Sequence, residues 1–298
     1  MPPHPDSSSR RLQKRQLRRA LYLAAGYLLA EVVGGLLTNS LALLADAGHM
    51  LSDVAALGLS WFALWMAERP AGPQQTYGYY RTEILAALAN GAALVAVAFF
   101  VFAEAVRRLR QPLDVLGGPM MGIAAGGLLV NLASAWLLAP SRHQNLNVRG
   151  AWLHVVMDAL GSLGALAAGA AVWLLGWNWA DPAVSLLIGL LIIYSSWRLL
   201  KESVAVLMEM APRAIDVDQV RHTIVQSPGV LDVHDLHVWT ITSGMDSLSA
   251  HVVIADGQAP EVVLRRVRDS LRQRFGIAHV TLQLEPEGFE EDEERPGI

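Results

Sequence analysis

The chain has 298 residues and a formal net charge of −4; 53% of it is hydrophobic and only 17% charged. A soluble domain carries about 25% charged residues, so this composition excludes disorder and argues against an ordinary cytosolic enzyme. There are no cysteines, which excludes disulfides, thiolate metal sites and cysteine nucleophiles.

Residues 1–19 are polar, with Pro2, Pro3, Pro5, a serine run and six basic side chains between Arg10 and Arg19. They read as a disordered basic tail, not as a secretory signal, because no small-residue cleavage site follows the apolar stretch. Six long apolar runs come next, at 20–37, 41–66, 83–106, 115–138, 148–175 and 183–200. Each approaches or exceeds the roughly 20 apolar residues that a membrane-spanning helix needs. The breaks between them carry Pro, Gly, Asn or charge, and Gly176-Trp177-Asn178-Trp179 reads as an interfacial aromatic turn. A six-helix transmembrane domain over 20–208 is the expected result.

An even number of spans puts both termini on one side. That side holds the basic tail, Arg69, Arg81, Arg142, Arg149, Arg198 and Lys201, so the termini are expected in the cytoplasm. Arg107, Arg108 and Arg110 run locally against this rule.

Beyond Pro212 the composition changes. Residues 216–226 read as a short helix. The alternating runs 230–242 and 248–255 flank the hairpin signal Ser243-Gly244, 260–275 is helical, and 279–285 alternates again. The order αββαβ predicts a small α+β domain over 209–287, followed by an acidic tail over 288–298.

His-x-x-x-Asp occurs twice within the apolar runs, as His49…Asp53 and His154…Asp158. Spacing i, i+4 puts both side chains of a pair on one helix face. The second and fifth spans are antiparallel. If they pack side by side, His49 lies level with Asp158 and Asp53 with His154, and four ligands converge near the middle of the bilayer. Two neutral imidazoles and two carboxylates carry −2, which one Zn²⁺ cancels, and an N₂O₂ set suits tetrahedral zinc better than Mg²⁺ or Ca²⁺. An empty site at −2 in a low dielectric should take up protons, so metal and protons compete for it. The bland alternative is that these residues only pair as glue between helices, a role that does not call for two matched pairs.

Asp46 lies one turn before His49 on the same face, and it either supports the site, guards the way into it, or contacts water near a helix end. Glu31, Asn90, Asn131 and Ser134 are polar within spans and are expected to hydrogen-bond between helices. A membrane metalloenzyme would need an open zinc position and a general base, and no His-Glu-x-x-His occurs. A membrane-anchored metal sensor or scaffold would leave the mid-membrane ligands without a purpose. Nucleic-acid binding is not expected, because the basic tail is short and lacks interleaved aromatics.

These residues resemble the cation diffusion facilitator family of metal/proton antiporters. Ser40-Leu-Ala-Leu-Leu-Ala-Asp-Ala-Gly-His-Met-Leu-Ser-Asp53 looks like its second-helix signature, and Thr76-Tyr-Gly-Tyr-Tyr-Arg-Thr-Glu83 like its loop into the third helix. Asn147-Val-Arg-Gly-Ala-Trp-Leu-His154…Asp158 resembles its fifth helix, and Val233-His-Asp-Leu-His-Val-Trp239 the start of its cytosolic domain. The resemblance covers about residues 17–287. It implies six transmembrane helices, a ferredoxin-like cytosolic domain, a homodimer, and export of Zn²⁺ against inward protons. His49 and His154 are similar to the zinc-preferring branch; manganese and iron branches carry Asp there. Some relatives carry a metal-binding histidine in the loop before the third helix; this chain has Tyr79 and Tyr80 near there, so that site is expected to be absent. Eukaryotic relatives carry a His-rich loop before the fifth helix; here that loop has only His143, which favours a bacterial-type efflux protein, expected in the inner membrane. The resemblance carries the family's cytosolic metal ligands onto His234, His251, Gln283 and Glu285, with Gln283 replacing a frequent His. On a flat strand His234 and His237 would point to opposite faces, so they cannot both bind one metal. His234, His251 and Glu285 are therefore expected either to bind a regulatory metal or to be ordinary solvated or dimer-packing groups. His222, His237 and His279 are expected to be structural.

Overall fold

The computed structural model describes residues 22, 25–67, 73–139 and 146–289. The basic tail, Arg69, Arg142, His143 and the acidic run beyond 289 lie outside the described residues, as does the side chain of Arg149. The chain divides into two units: one holds 1–68 and 86–200, the other 69–85 and 201–298.

The first unit is helical. Its helices are α1 (Ala25–Thr38), α2 (Leu41–Ala67), α3 (Arg81–Arg110), α4 (Gly117–Leu138), α5 (Leu146–Leu175) and α6 (Ala180–Leu207), where α3 begins and α6 ends in the second unit. Among the described residues, four of them (α3 to α6) are long and apolar enough to cross a membrane. The core is built largely of small side chains, with Ala42, Ala45, Ala98, Ala105 and Ala165 fully buried beside Leu41, Leu43 and Met120. Small residues let helices approach closely where lipid tails, as apolar as leucine, leave no hydrophobic drive between helices. Gly117 makes the tightest approach to backbone atoms among the described glycines. A Cβ there would sit 2.7 Å from the Gly169 carbonyl oxygen and 2.8 Å from the Trp173 nitrogen, both backbone atoms that cannot step aside. Gly117→Ala is expected to force α4 from α5 and destabilise the protein by about 1–3 kcal/mol. Gly126→Ala, where nothing lies within 4 Å, should change stability by less than about 1 kcal/mol in the favourable direction. Thermal unfolding of the two variants in detergent checks this.

The turn between α1 and α2 is pinned from far along the sequence. Asn39 ends α1 in the left-handed region (φ 55), a conformation Asn tolerates. The first four N–H groups of α2 have no partner inside the helix. Asp181, wholly buried at the start of α6, accepts from Leu41 N at 2.7 Å, Ala42 N at 3.1 Å and the Ser40 hydroxyl at 2.7 Å. Ser40 then serves the third: its Oγ accepts from Leu43 N at 3.2 Å, and its own N–H donates to the Gly35 carbonyl at 2.9 Å. Arg108, nearly buried, donates to the Asn39 carbonyl at 2.5 Å and to Glu104 at 2.8 Å, and lies 3.9 Å from Asp181. Arg107 also pairs with Glu104, at 2.6 Å. Two of the three arginines that run against the charge rule are thus held in ion pairs. Asp114 draws the other turns to the same end of the bundle, accepting from Asn39 at 3.5 Å and Asn178 at 3.1 Å. Trp177 and Trp179 stack at that turn, 5.5 Å apart.

The second unit contains α7 (Val217–Val225), β1 (Val230–Thr242), β2 (Met245–Ile254), α8 (Pro260–Phe275) and β3 (His279–Pro286). Its sheet runs β1-β2-β3, with β1 antiparallel to β2 and β3 parallel to β2. Asp216 caps α7 by accepting from Asp218 N and Gln219 N. Pro260 opens α8, and Gly276 closes it at φ 74. Val220, Ile224, Val233, Leu248, Val252, Val263, Val267 and Leu271 form its core. In the segment 69–85, Arg81 pairs with Glu209 at 2.5 Å, and Glu83 accepts from the hydroxyls of Thr242 and Ser243.

The polar residues expected to bond between helices divide. Asn90 on α3 donates to Ser52 on α2 at 3.2 Å, and Asn131 on α4 donates to Ser162 on α5 at 3.4 Å. Ser134 instead donates to the Val130 carbonyl of its own helix, the usual fate of a serine hydroxyl one turn on. Glu31, fully buried, meets no hydrogen-bond partner at either carboxylate oxygen among the described residues.

Candidate metal centre

His49 and Asp53 stand one turn apart on α2, and Asp158 stands on α5. His49 Nε2 lies 3.0 Å from Asp158 Oδ1, across 109 residues of sequence. One ligand atom from each of His49, Asp53 and Asp158 lies within 4.8 Å of the others. His154 falls on α5 one turn before Asp158, and its side chain lies outside the described residues. His49 thus lies beside Asp158; the Asp53–His154 half of the expected arrangement falls outside the described residues.

The spacing fits a small tetrahedral ion. Zinc-to-ligand distances of about 2.0–2.1 Å put neighbouring ligand atoms roughly 3.3 Å apart, close to the His49–Asp158 separation. The three side chains are half-buried. A metal here would replace the hydrogen bond that ties His49 to Asp158.

Asp46 is buried behind this group, with Ser162 Oγ 3.4 Å from its Oδ2. The close approach depends on Gly161, whose Cβ would lie only 3.3 Å from Asp46 Oδ1. Asp46 interacts electrostatically with both His49 and Asp158. Of the three roles open to it from sequence, contact with bulk water at a helix end does not hold, because Asp46 is 5% exposed.

A second cluster lies on the sheet. Glu285 is buried, its Oε2 2.9 Å from His234 Nε2 and its Oε1 2.9 Å from His251 Nδ1. The three ligand atoms fall within 4.8 Å of one another. Gln283 does not complete the set as an imidazole would; it donates to Glu285 Oε1 at 3.1 Å. His234 and His237 do not point to opposite faces of the sheet, as they would on a flat strand. The β1–β2 register shifts between His234 and His237, and Asp235 sits in the left-handed region at φ 48. Val233 and Val238 are both buried although five residues apart, so the bulge returns His237 to the sheet face of His234. His237 is held there by Asp235, 2.9 Å away.

Among the described residues, a His/Asp group between α2 and α5 and a His/Glu cluster on the small α/β domain are the two sets of side chains able to hold a metal ion. Comparison with known proteins shows the family. The cation efflux transmembrane domain matches residues 17–208 and the cation efflux protein cytoplasmic domain matches 212–287. The chain is 42% identical over 284 residues to a "Cadmium, cobalt and zinc/H(+)-K(+) antiporter" of Bacillus velezensis, covering 94% of this chain and 90% of the relative. It is 44% identical over 273 residues to the "Metal cation efflux system protein CzcD" of Cupriavidus metallidurans, covering 91% and 86%. It is 42% identical over 287 residues to the "Zinc transporter ZitB" of Escherichia coli, covering 95% and 91%. The chain belongs to the cation efflux, or cation diffusion facilitator, family. It is a multi-pass membrane transporter and not an enzyme.

Proposed function

We propose that this chain exports divalent metal from the cytoplasm in exchange for protons, with Zn²⁺ the principal substrate and Cd²⁺ and Co²⁺ also carried. The observation that supports this most is the convergence of His49, Asp53 and Asp158 between α2 and α5. His154, one turn from Asp158 on α5, supplies the fourth ligand. The similar proteins are named for cadmium, cobalt and zinc, and one of them for exchange with H⁺ and K⁺. The ligand charge of −2 balances a bound dication. After its release the same charge in a low dielectric calls protons in, which couples the two flows. Six spans rock around the site, presenting it to the cytoplasm and then outside. Both termini face the cytoplasm, in the inner membrane of a bacterium.

The protein works as a homodimer, consistent with the match of its second unit to the cytoplasmic domain of cation efflux proteins. There His234, His251 and Glu285 hold a regulatory Zn²⁺ that tightens the pair, with Gln283 orienting Glu285. Replacing His234 and His251 together by alanine is expected to lower bound Zn²⁺ by one ion per chain and raise the metal concentration for half-maximal flux by about 10-fold. The saturated rate should be unchanged, because the transport ligands are intact. Equilibrium dialysis and flux on one preparation check both halves.

Uptake into inside-out vesicles, comparing Zn²⁺, Cd²⁺, Co²⁺ and Mn²⁺, tests the substrate assignment. Uptake of the first three and exclusion of Mn²⁺ is expected, since an imidazole-containing tetrahedral site disfavours an oxygen-seeking octahedral ion. Mn²⁺ uptake matching that of Zn²⁺ would contradict it.

A further inference from the structure

Glu31 is the most exceptional buried group in the helical unit. It lies in the middle of α1, is 0% exposed, and among the described residues neither of its oxygens meets hydrogen-bond geometry with a partner. The groups that act on it most are Tyr27, Asp46 and Asp158, a phenol and two acids. Tyr27 does not relieve it, because the Tyr27 hydroxyl donates to the Ile123 carbonyl at 3.0 Å. Asp46, 5% exposed, acts on it from α2 and has Ser162 Oγ 3.4 Å from its own Oδ2. Two carboxylates buried together and short of donors are costly, and ionisable groups inside a membrane protein mark ion pathways.

We propose that Glu31 and Asp46 form a second cation station, one helical turn from His49 toward the α1–α2 turn, which receives the same divalent metal after it leaves the His49 site. This rests on the exporter reading above. Asp46 and His49 are three residues apart on one face of α2, about 5–6 Å between Cβ atoms, so an ion moves between the sites in one step. Two carboxylates neutralise a dication completely. An all-oxygen pair without imidazole holds a zinc-type ion more loosely than the His49 site, as a transfer station must if ions are to leave. Gly161 keeps Asp46 in place by leaving room for its Oδ1 on α5.

The test uses the full-length protein in proteoliposomes with Zn²⁺ as probe. Glu31→Gln keeps the side-chain shape and removes one charge. The saturated flux should fall by about 10- to 100-fold, with half-saturation within about threefold of the unaltered protein. The thermal midpoint in detergent should stay level or rise, since one buried charge is gone. Glu31→Asp should recover part of the rate. Glu31→Gln flux within about twofold of the unaltered protein overturns the station. A preserved rate that no longer responds to an imposed pH gradient overturns it in favour of a proton carrier. A fall in thermal midpoint accompanied by a rate that Glu31→Asp does not recover overturns it in favour of a packing role. Asp53→Ala in the same assay separates this from the exporter reading: if that variant still transports, the His49 site itself fails, whatever Glu31 does.

Discussion

Asp158→Ala is expected to reduce Zn²⁺ flux by more than about 100-fold, the upper end of what even supporting residues around a metal cost. Asp158 is an α5 side chain that meets α2, its Oδ1 3.0 Å from His49 Nε2. Its loss removes one of the two carboxylates whose −2 balances a dication, and leaves His49 without the acid it faces. The ion would then enter a low-dielectric site at half the compensating charge, which raises the cost of occupancy. Asp158→Asn should be nearly as inactive, because it keeps the oxygen but not the charge. That isolates electrostatics from shape. Zn²⁺ flux in proteoliposomes checks both variants, and Asp158→Asn transporting at half the unaltered rate or better would show that geometry suffices.

Asp181→Ala should be the most destabilising single change in the helical unit, by about 3–5 kcal/mol. The substitution strips acceptors from Leu41 N, Ala42 N and the Ser40 hydroxyl at once, in a site that water does not reach. It also removes the negative charge at the positive end of α2 and the acid nearest Arg108 on that side. Asp181→Asn keeps one acceptor oxygen and should cost about 1–3 kcal/mol. Denaturant unfolding in mixed micelles reads the order. Equal stability of Asp181→Ala and the unaltered protein would mean that water or another group caps α2.

Much of this architecture is visible in the sequence because its signals are local. Apolar runs bounded by Gly, Pro, Asn and charge place α2 to α6 to within a few residues at most ends. The i, i+4 spacing of His49…Asp53 and His154…Asp158, with the antiparallel sense of their helices, brings His49 to Asp158 without any structural input. The alternation and hairpin signal likewise yield the order of elements beyond Pro212.

What escapes is set by contacts between distant positions. Asp181 reads as part of a polar break, and nothing near it in sequence shows that it caps a helix starting 140 residues earlier. Arg108 reads as a violation of charge bias, because its partners at Asn39 and Asp181 are visible only in three dimensions. The bulge at Asp235 defeats a strand argument that assumes strict alternation; Val233 and Val238, two apolar residues five apart with acid and imidazole between, are the signal that could have found it. Glu31 was recognisable as a polar residue in a span. That its oxygens would face acids rather than donors depends on Tyr27 donating elsewhere.

The most direct test of the account records Zn²⁺ and internal pH together in proteoliposomes with an acidic lumen. Zn²⁺ should enter only as the lumen turns alkaline, and Asp53→Ala should abolish both signals. Zn²⁺ accumulation without proton efflux, or either signal persisting undiminished in Asp53→Ala, would contradict exchange at the α2–α5 site.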